Sequence, residues 1–319
     1  MDSHAVPAEA PGRAAPALGR RWDAGTLWVL ASAAGFGAMA IFAKLAYAAG
    51  VGTPTLLAVR FSIAAVVLWG LLAVRRQPAR VSRRTLGGLL LMGGVGYVGQ
   101  ALAFFTALQT IPAATTGLLL YTYPAMVSLL AWLFLRQRMT RAGAVALALA
   151  TLGCVLVLGG PSAALGQGGL DSAGVAWALT AAVVYSLYII AGTPITAGAP
   201  PLVGATYIIS AAAVVFAGAG LLGGSLRFTF GPDGWAITVA IALVCTVLPV
   251  AAFVAGLARL GPARASILST VEPAVTIALA ALALGERISV TQIVGGALIL
   301  SAVLALQRRP RSAVPPDLV

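Results

Sequence analysis

One acidic residue lies deep inside an apolar segment, where burial of a carboxylate is unfavourable in free energy. A carboxyl group at such a position is a candidate functional residue. Glu272 comes about ten residues into the apolar segment 262–284, roughly 15 Å from either end of a helix. A charge at such a depth costs about 2.5 kcal/mol or more, so we expect Glu272 to be paired, protonated or facing water. Those are the properties of a proton-coupling or amine-binding carboxyl. The alternative is a hydrogen-bonded structural carboxyl beside Pro273.

Two basic residues also lie within apolar segments. Lys44 is the only lysine and stands about five residues before the end of the first segment. Because helical side chains tilt toward the helix N-terminus, Lys44 is expected to point inward, where it pairs with Glu272 or binds a carboxylate. Its alternative is to extend toward the nearer surface. Arg60, some seven residues into the second segment, is expected to extend to the outer surface.

Aromatic and amide side chains offer the walls of a binding pocket. Each tyrosine combines a flat apolar body with one hydroxyl, which suits an amphiphilic small molecule; packing or outward-facing positions are the alternative. The candidates are Phe36, Tyr97, Gln100, Tyr121, Tyr123, Tyr185 and Tyr188.

Three prolines inside apolar segments are candidate gating kinks, namely Pro124, Pro249 and Pro273. A proline removes the amide that would bond the carbonyl four residues earlier, which frees an acceptor and permits a bend. Simple packing is the alternative explanation.

Other kinds of chemistry have no counterpart in the sequence. It contains no phosphate-binding glycine-rich loop after a strand, no nucleophile with a base, and no nucleic-acid-binding motif. Two cysteines and a single histidine in the N-terminal tail do not make a metal site. We therefore expect no enzyme, no cofactor, no metal, no nucleic-acid partner and no ATP-driven pump.

The amino-acid composition indicates which kind of secondary structure positions these residues. Of 319 residues, 60% are apolar and 9% charged, and the mean hydropathy is +1.00; a soluble domain and a disordered chain are both excluded. The sequence predicts an all-α membrane protein, since alternating ten-residue strands are absent. Ten helices are predicted at 25–49, 54–74, 85–108, 112–134, 142–160, 173–193, 201–223, 234–257, 262–284 and 290–306.

Basic residues fix the expected orientation. With the N-terminus in the cytoplasm, 15 of the 20 basic residues fall in inside segments, two in outside segments and three within helices. The positive-inside rule then places both termini in the cytoplasm, as expected for a multi-pass protein of the bacterial inner membrane.

The chain repeats itself at a constant offset of 149 residues. Trp28 is matched by Trp177, and Pro124 by Pro273; between 124–138 and 273–287, 7 of 15 positions are identical. Five helices per repeat is an odd number, so the second copy enters the membrane inverted, and such repeats place a substrate site near the midplane. The predicted organisation is a tail (1–22), a first repeat (23–159), an outer linker (160–171), a second repeat (172–307) and a tail (308–319).

Several short motifs resemble the EamA family of the drug/metabolite transporter superfamily, over about residues 24–307. They are Gly35-Phe36-Gly37 leading to Lys44, Val59-Arg60-Phe61, Glu272-Pro273-Ala274 and Leu284-Gly285-Glu286-Arg287. In the first copy, Gln137 stands where the family usually has Glu. The resemblance implies two inverted five-helix repeats and the movement of small metabolites or drugs, often outward.

Together these features predict a secondary transporter working by alternating access. The expected cargo is a small amphiphilic metabolite, such as an amino acid, with export as the expected direction and protons as the coupling ion if there is one. A multidrug or cation exporter is the alternative, and a non-transporting membrane sensor or assembly component is a more distant one. Besides the small-molecule substrate, the expected partners are the lipid bilayer and at most a second copy, so that the protein is a monomer or a homodimer.

Overall fold

The part of the chain that the structure describes folds into ten apolar helices. The computed structural model describes residues 23–135, 140–159 and 170–307. Nine of these described helices are long and apolar enough to cross a membrane, and α5 is an apolar helix of 17 residues. Numbered in chain order, they are α1 (Ala24–Ala48), α2 (Thr53–Val74), α3 (Arg83–Thr110), α4 (Ala113–Phe134), α5 (Arg141–Val157), α6 (Ser172–Thr196), α7 (Pro201–Leu222), α8 (Pro232–Pro262), α9 (Arg264–Leu284) and α10 (Val290–Gln307).

All ten predicted segments are helical, and the prediction of an all-α protein is confirmed for the described residues. The two predicted tails, residues 160–169 of the linker and Gln137 lie outside the described residues.

Short polar side chains fix several helix starts. The Asp23 carboxylate accepts a hydrogen bond from the Gly25 amide at 3.2 Å, and the Asp171 carboxylate accepts one from the Gly174 amide at 3.0 Å. These contacts satisfy amides that have no partner inside the first helical turn. Helices α1 and α6, the first helix of each repeat, therefore both start with an aspartate N-cap.

The most extensive helix contacts join one repeat to the other. They are formed by α1 with α8, α2 with α7, α3 with α6, and α5 with α10. When the second repeat is laid on the first, α1 corresponds to α6 and α3 to α8, so this set of contacts is unchanged by exchanging the repeats. The two halves interlock around one common core.

Four helices are irregular near their middles, at equivalent places in the two repeats. In α3 the turn Met92–Tyr97 is π-helical, and in α8 the turn Leu243–Val247 is. Helix α4 is interrupted between Leu120 and Tyr123, and α9 between Ser269 and Glu272. The 149-residue offset relates both pairs, so the interruptions belong to the fold.

The outward faces of the bundle are apolar. Val66, Val214 and Leu282 keep 72%, 73% and 84% of their surface exposed, while many of the buried residues are alanine, serine or threonine, packed with leucine and phenylalanine. An outer surface that is this apolar is stable only in contact with lipid tails.

Candidate functional site

The interruption of α9 places Glu272 in the middle of the bundle. Its second half begins at Glu272, with Pro273 in the first turn. A helix N-terminus carries partial positive charge, which favours an acid at this position. Glu272 is thus held at the end of a half-helix within the bundle core.

The interruption of α4 supplies the partner of Glu272. The Tyr121 hydroxyl lies 2.8 Å from Oε2 of Glu272 and 3.2 Å from the carbonyl oxygen of Ser269. The Ser269 carbonyl is the acceptor that Pro273 deprives of its amide partner. The two interrupted helices, one from each repeat, therefore meet at a three-way polar contact.

Helix α1 packs directly against this contact. A Cβ at Gly37 would lie 2.7 Å from the carbonyl oxygen of Glu272, so only glycine permits this approach. The Thr276 hydroxyl donates to the carbonyl of Gly37 at 2.9 Å and locks α1 to α9.

The same helix packs on α8 at Pro249, just after the π-helical turn. A Cβ at Gly35 would lie 2.6 Å from Cγ of Pro249, and the Ser32 hydroxyl donates to the Pro249 carbonyl at 2.8 Å. The Gly35-Phe36-Gly37 motif therefore joins α1 to the two irregular helices of the second repeat.

Five tyrosines form a continuous row from Glu272 into the bundle, which we call the tyrosine row. Ring centroids lie 5.9 Å apart from Tyr121 to Tyr123 and 4.7 Å from Tyr123 to Tyr185. They lie 5.9 Å apart from Tyr185 to Tyr188 and 6.1 Å from Tyr188 to Tyr97. The row contains every tyrosine predicted as a pocket residue.

The far end of the tyrosine row lines a cavity of about 280 Å³. Tyr97, Tyr185 and Tyr188 line it, together with residues of α7 that include the apolar Ile208 and Ile209. The cavity extends to the 197–201 turn at one end of the bundle. Its volume is close to the lower end of the range for small-molecule pockets.

Four of the seven predicted pocket residues do not line this cavity; Tyr121 and Tyr123 lie nearer Glu272 in the tyrosine row. Phe36 and Gln100 are half-buried, on α1 and α3, and neither lines it. Pro124 and Pro273 both follow the helix interruptions, and Pro249 follows the π-helical turn of α8.

Arg60 corrects a prediction. It does not extend to the outer surface but is 1% exposed, and its Nε donates to the Thr246 hydroxyl at 2.8 Å. Its guanidinium carbon lies 4.6 Å from the ring centroid of Phe61 and 5.1 Å from that of Phe105. The prediction followed the tilt of the side chain on its own helix and took no account of neighbouring helices. The available signal was the repeat equivalent, Ile209, an apolar residue that fits an inward-facing position.

Lys44 is half-buried on α1, and its pairing with Glu272 or with a substrate carboxylate stays a prediction. Glu286 is an acidic neighbour of Lys44. Glu286 in turn accepts from the amides of Ala113 at 2.7 Å and Ala114 at 3.1 Å. It caps the first half of α4, and this capping role was not predicted.

These features define a multi-pass membrane protein with two related halves and a solute-sized cavity, lined mainly by the second half and by Tyr97 of the first. The model of the EamA-like transporter family matches residues 23–159 and again 172–307. The chain belongs to that family, which is part of the drug/metabolite transporter superfamily.

Two similar proteins extend the comparison. The chain is 25% identical over 284 residues to the uncharacterized transporter YcbK of Bacillus subtilis (strain 168), covering 86% of this chain and 90% of that protein. A solved crystal structure shares its fold, with a TM-score of 0.59 and 20% identity, covering 88% of this chain and 96% of the other. The membrane transporter class therefore rests on both the family and a bacterial relative.

Proposed function

We propose that the protein is a secondary transporter that moves a small amphiphilic metabolite, such as an amino acid, out of the bacterial cell. The observation that carries this proposal is the meeting of two interrupted helices at Glu272, beside a tyrosine-lined cavity. Interrupted helices at the interface of inverted repeats are the usual site of substrate and coupling ion in secondary transporters.

Hydrogen bonding supports a carboxyl that gains and loses a proton. The Tyr121 hydroxyl carries one proton but faces two acceptors, Glu272 and Ser269. Both contacts become full hydrogen bonds when Glu272 is protonated and donates to Tyr121, which then donates to Ser269. Loss of that proton leaves a carboxylate that can attract a substrate amine instead. Glu272 is proposed as this exchange point.

The tyrosine row supports the choice of an amphiphilic cargo. Its rings offer apolar area and its hydroxyls offer hydrogen bonds. Tyr97, Tyr185 and Tyr188 bring both to the cavity wall, together with the apolar residues of α7. The proposed binding region includes the row, Glu272 and Lys44, with Phe36 and Gln100 contributing in other states of the cycle.

The symmetric interruptions support alternating access. Because α4 and α9 are interrupted at equivalent residues, a rearrangement in one repeat has a structural counterpart in the other. We propose Pro124, Pro249 and Pro273 as the bending points. In the proposed orientation all ten helices span the membrane, both termini are cytoplasmic, and the cavity opens toward the cytoplasm. The working unit is a monomer or a homodimer.

A multidrug or cation exporter is the second candidate. The observation that favours it is the row of aromatic faces ending at a carboxyl, because organic cations bind both groups. The two candidates differ in whether the cargo must carry an acidic group.

Counterflow in proteoliposomes tests the proposal. Purified protein is reconstituted with labelled amino acids, other small metabolites and organic cations, with and without a proton gradient. We expect one class to exchange without a gradient and to accumulate with one. Exchange of organic cations alone would support the second candidate. No exchange of any compound would contradict the transporter proposal, and empty liposomes provide the control.

A further inference from the structure

Arg60 is the only fully buried charged side chain among the residues that the structure describes. Within the described ranges, its Nη1 has no hydrogen-bond partner. Burial of a guanidinium is unfavourable unless its nitrogens are paired, and an unpaired buried nitrogen calls for an explanation. Arg60 therefore holds an unused donor in the membrane core.

The surroundings of Arg60 keep the guanidinium in place without neutralising it. Thr246 binds Nε, and the rings of Phe61 and Phe105 cover the cation. Its polar neighbours in the described ranges are Thr246, Tyr97, Tyr47 and Cys245, all uncharged groups and none a carboxylate. A buried arginine with a purely structural role is expected to have an acidic partner. The Arg60 guanidinium is instead held through Nε, and its Nη1 is left without a partner among the described residues.

Arg60 also lies between the two π-helical turns. Tyr97 ends the turn of α3 and Thr246 lies in the turn of α8, and the 149-residue offset makes these two residues equivalents. Both are neighbours of Arg60. π-helical turns in proteins frequently mark functional sites. Because Arg60 neighbours two such turns, its position is that of a substrate-binding residue.

The cavity lies next to this cation. Tyr97 lines the cavity and is also a neighbour of the guanidinium. Ile209, the repeat equivalent of Arg60, lines the cavity from α7. Equivalent positions of inverted repeats lie at corresponding depths, and Tyr97 is a residue that both lines the cavity and neighbours Arg60.

We propose that Arg60 binds the carboxylate of the transported molecule, which reaches its free nitrogen from the cavity when Tyr97 moves aside. The guanidinium fork matches a carboxylate with two parallel hydrogen bonds. This inference rests on the proposed transport function and specifies the substrate class: a small metabolite with an acidic group. Arg60 of the first repeat and Glu272 of the second then both belong to the binding region, and their repeat equivalents, Ile209 and Tyr123, are uncharged.

The test uses pairs of compounds that differ only in the acidic group. Counterflow is measured for L-leucine with L-leucinamide, L-methionine with L-methioninamide, and L-threonine with L-threoninamide. For pairs that move, the wild-type protein should exchange the acid about tenfold faster than the amide or more. In Arg60→Gln the ratio should fall to about one, and Arg60→Lys should lie between. The control Arg259→Gln changes an exposed arginine that bonds its own helix and should keep the wild-type ratio.

A structural role for Arg60 gives a different result. Arg60→Lys would then lower the melting temperature or slow all compounds equally, and an unchanged acid-to-amide ratio would overturn the inference. If Arg60→Gln does not fold, Thr246→Val removes the Nε acceptor together with the hydroxyl's bond to the Ile241 carbonyl, and it should lower the ratio several-fold. If the protein exchanges amides or amines but not the corresponding acids, the inference about Arg60 is also overturned, while the transporter proposal stands. Failure of every compound, cations included, would contradict both.

Discussion

Glu272 lies where a helix end, a tyrosine hydroxyl and a close-packed glycine converge. Each contact is specific: Tyr121 reaches its carboxyl, and Gly37 packs against its carbonyl. The carboxyl is thereby oriented toward the tyrosine row rather than toward lipid. At the residue scale, the proposed site depends on hydroxyl groups that hold a carboxyl in place.

Replacement of Tyr121 tests this arrangement. Tyr121→Phe leaves Glu272 and Ser269 without their common partner, and we expect a loss of about 1–3 kcal/mol of stability. The matched control is Tyr188→Phe, whose hydroxyl has no hydrogen bond among the described residues. Thermal unfolding of the two purified variants gives the comparison. Equal melting temperatures would show that the Tyr121 contact contributes nothing.

Glu286 provides a second test at this scale. Glu286→Ala removes both acceptors from the amides that start α4, and we expect a loss of about 1–2 kcal/mol. Glu286→Gln keeps one oxygen and should lose less. Asp233→Ala removes an exposed acid from the first turn of α8 and is the control. The order of melting temperatures should be wild type, Asp233→Ala, Glu286→Gln, Glu286→Ala; a Glu286→Ala variant as stable as the control would contradict the capping role.

At the scale of elements, the irregular helices are held by close packing from α1 and α6. Helix α1 approaches α8 and α9 through Gly35 and Gly37. At the equivalent crossing, the Ser186 hydroxyl of α6 lies 3.2 Å from the carbonyl of Tyr123. The residues contacted at these two crossings, Glu272 and Tyr123, each directly precede a proline. The first helix of each repeat therefore contacts the interruption of the other repeat.

A methyl group at Gly35 should disturb this packing. Its Cβ would lie 2.6 Å from both Pro249 and the Val244 carbonyl, so α1 must shift, and we expect Gly35→Ala to cost about 1–3 kcal/mol and to reduce transport. Gly70→Ala is the matched control, because nothing lies within 4 Å of a Cβ there; it should be neutral or slightly stabilising. Equal behaviour of the two variants would contradict the close approach.

The elements were predictable from the sequence to an unequal degree. Helix positions follow from the lengths of apolar runs, so all ten segments were found. Pro124 and Pro273 indicated the irregular sites in α4 and α9, because a missing amide leaves a local signal. The π-helical turns at 92–97 and 243–247 were not predicted, since they depend on packing between repeats. For the same reason the Tyr121–Glu272 contact was missed and Arg60 was assigned to the wrong environment.

At the scale of the whole molecule, the interlocked repeats explain why one chain contains two related halves. The contacts of α1 with α8 and of α3 with α6 are equivalents of each other. A conformational change that loosens one of them has a counterpart that loosens the other. The proposed alternating access uses this symmetry, because it needs two states that are related by exchanging the roles of the repeats.

The orientation of the repeats can be tested by labelling. In a background with Cys154→Ala and Cys245→Ala, single replacements Pro78→Cys and Ser225→Cys mark equivalent exposed loops of the two repeats. A membrane-impermeant maleimide should label only Ser225→Cys in intact cells and both after permeabilisation. Labelling of both in intact cells, or of Pro78→Cys alone, would contradict inverted repeats with cytoplasmic termini.

The central claim is that Glu272 couples proton movement to transport, and one comparison tests it most directly. Uptake of the exchanged substrate into proteoliposomes is measured with and without a proton gradient, for the wild type, Glu272→Gln and the control Asp233→Asn. We expect Glu272→Gln to fold normally and to lose gradient-driven accumulation, while Asp233→Asn behaves as the wild type. If accumulation and its pH dependence are unchanged in a folded Glu272→Gln variant, Glu272 is a structural carboxyl and the account is wrong.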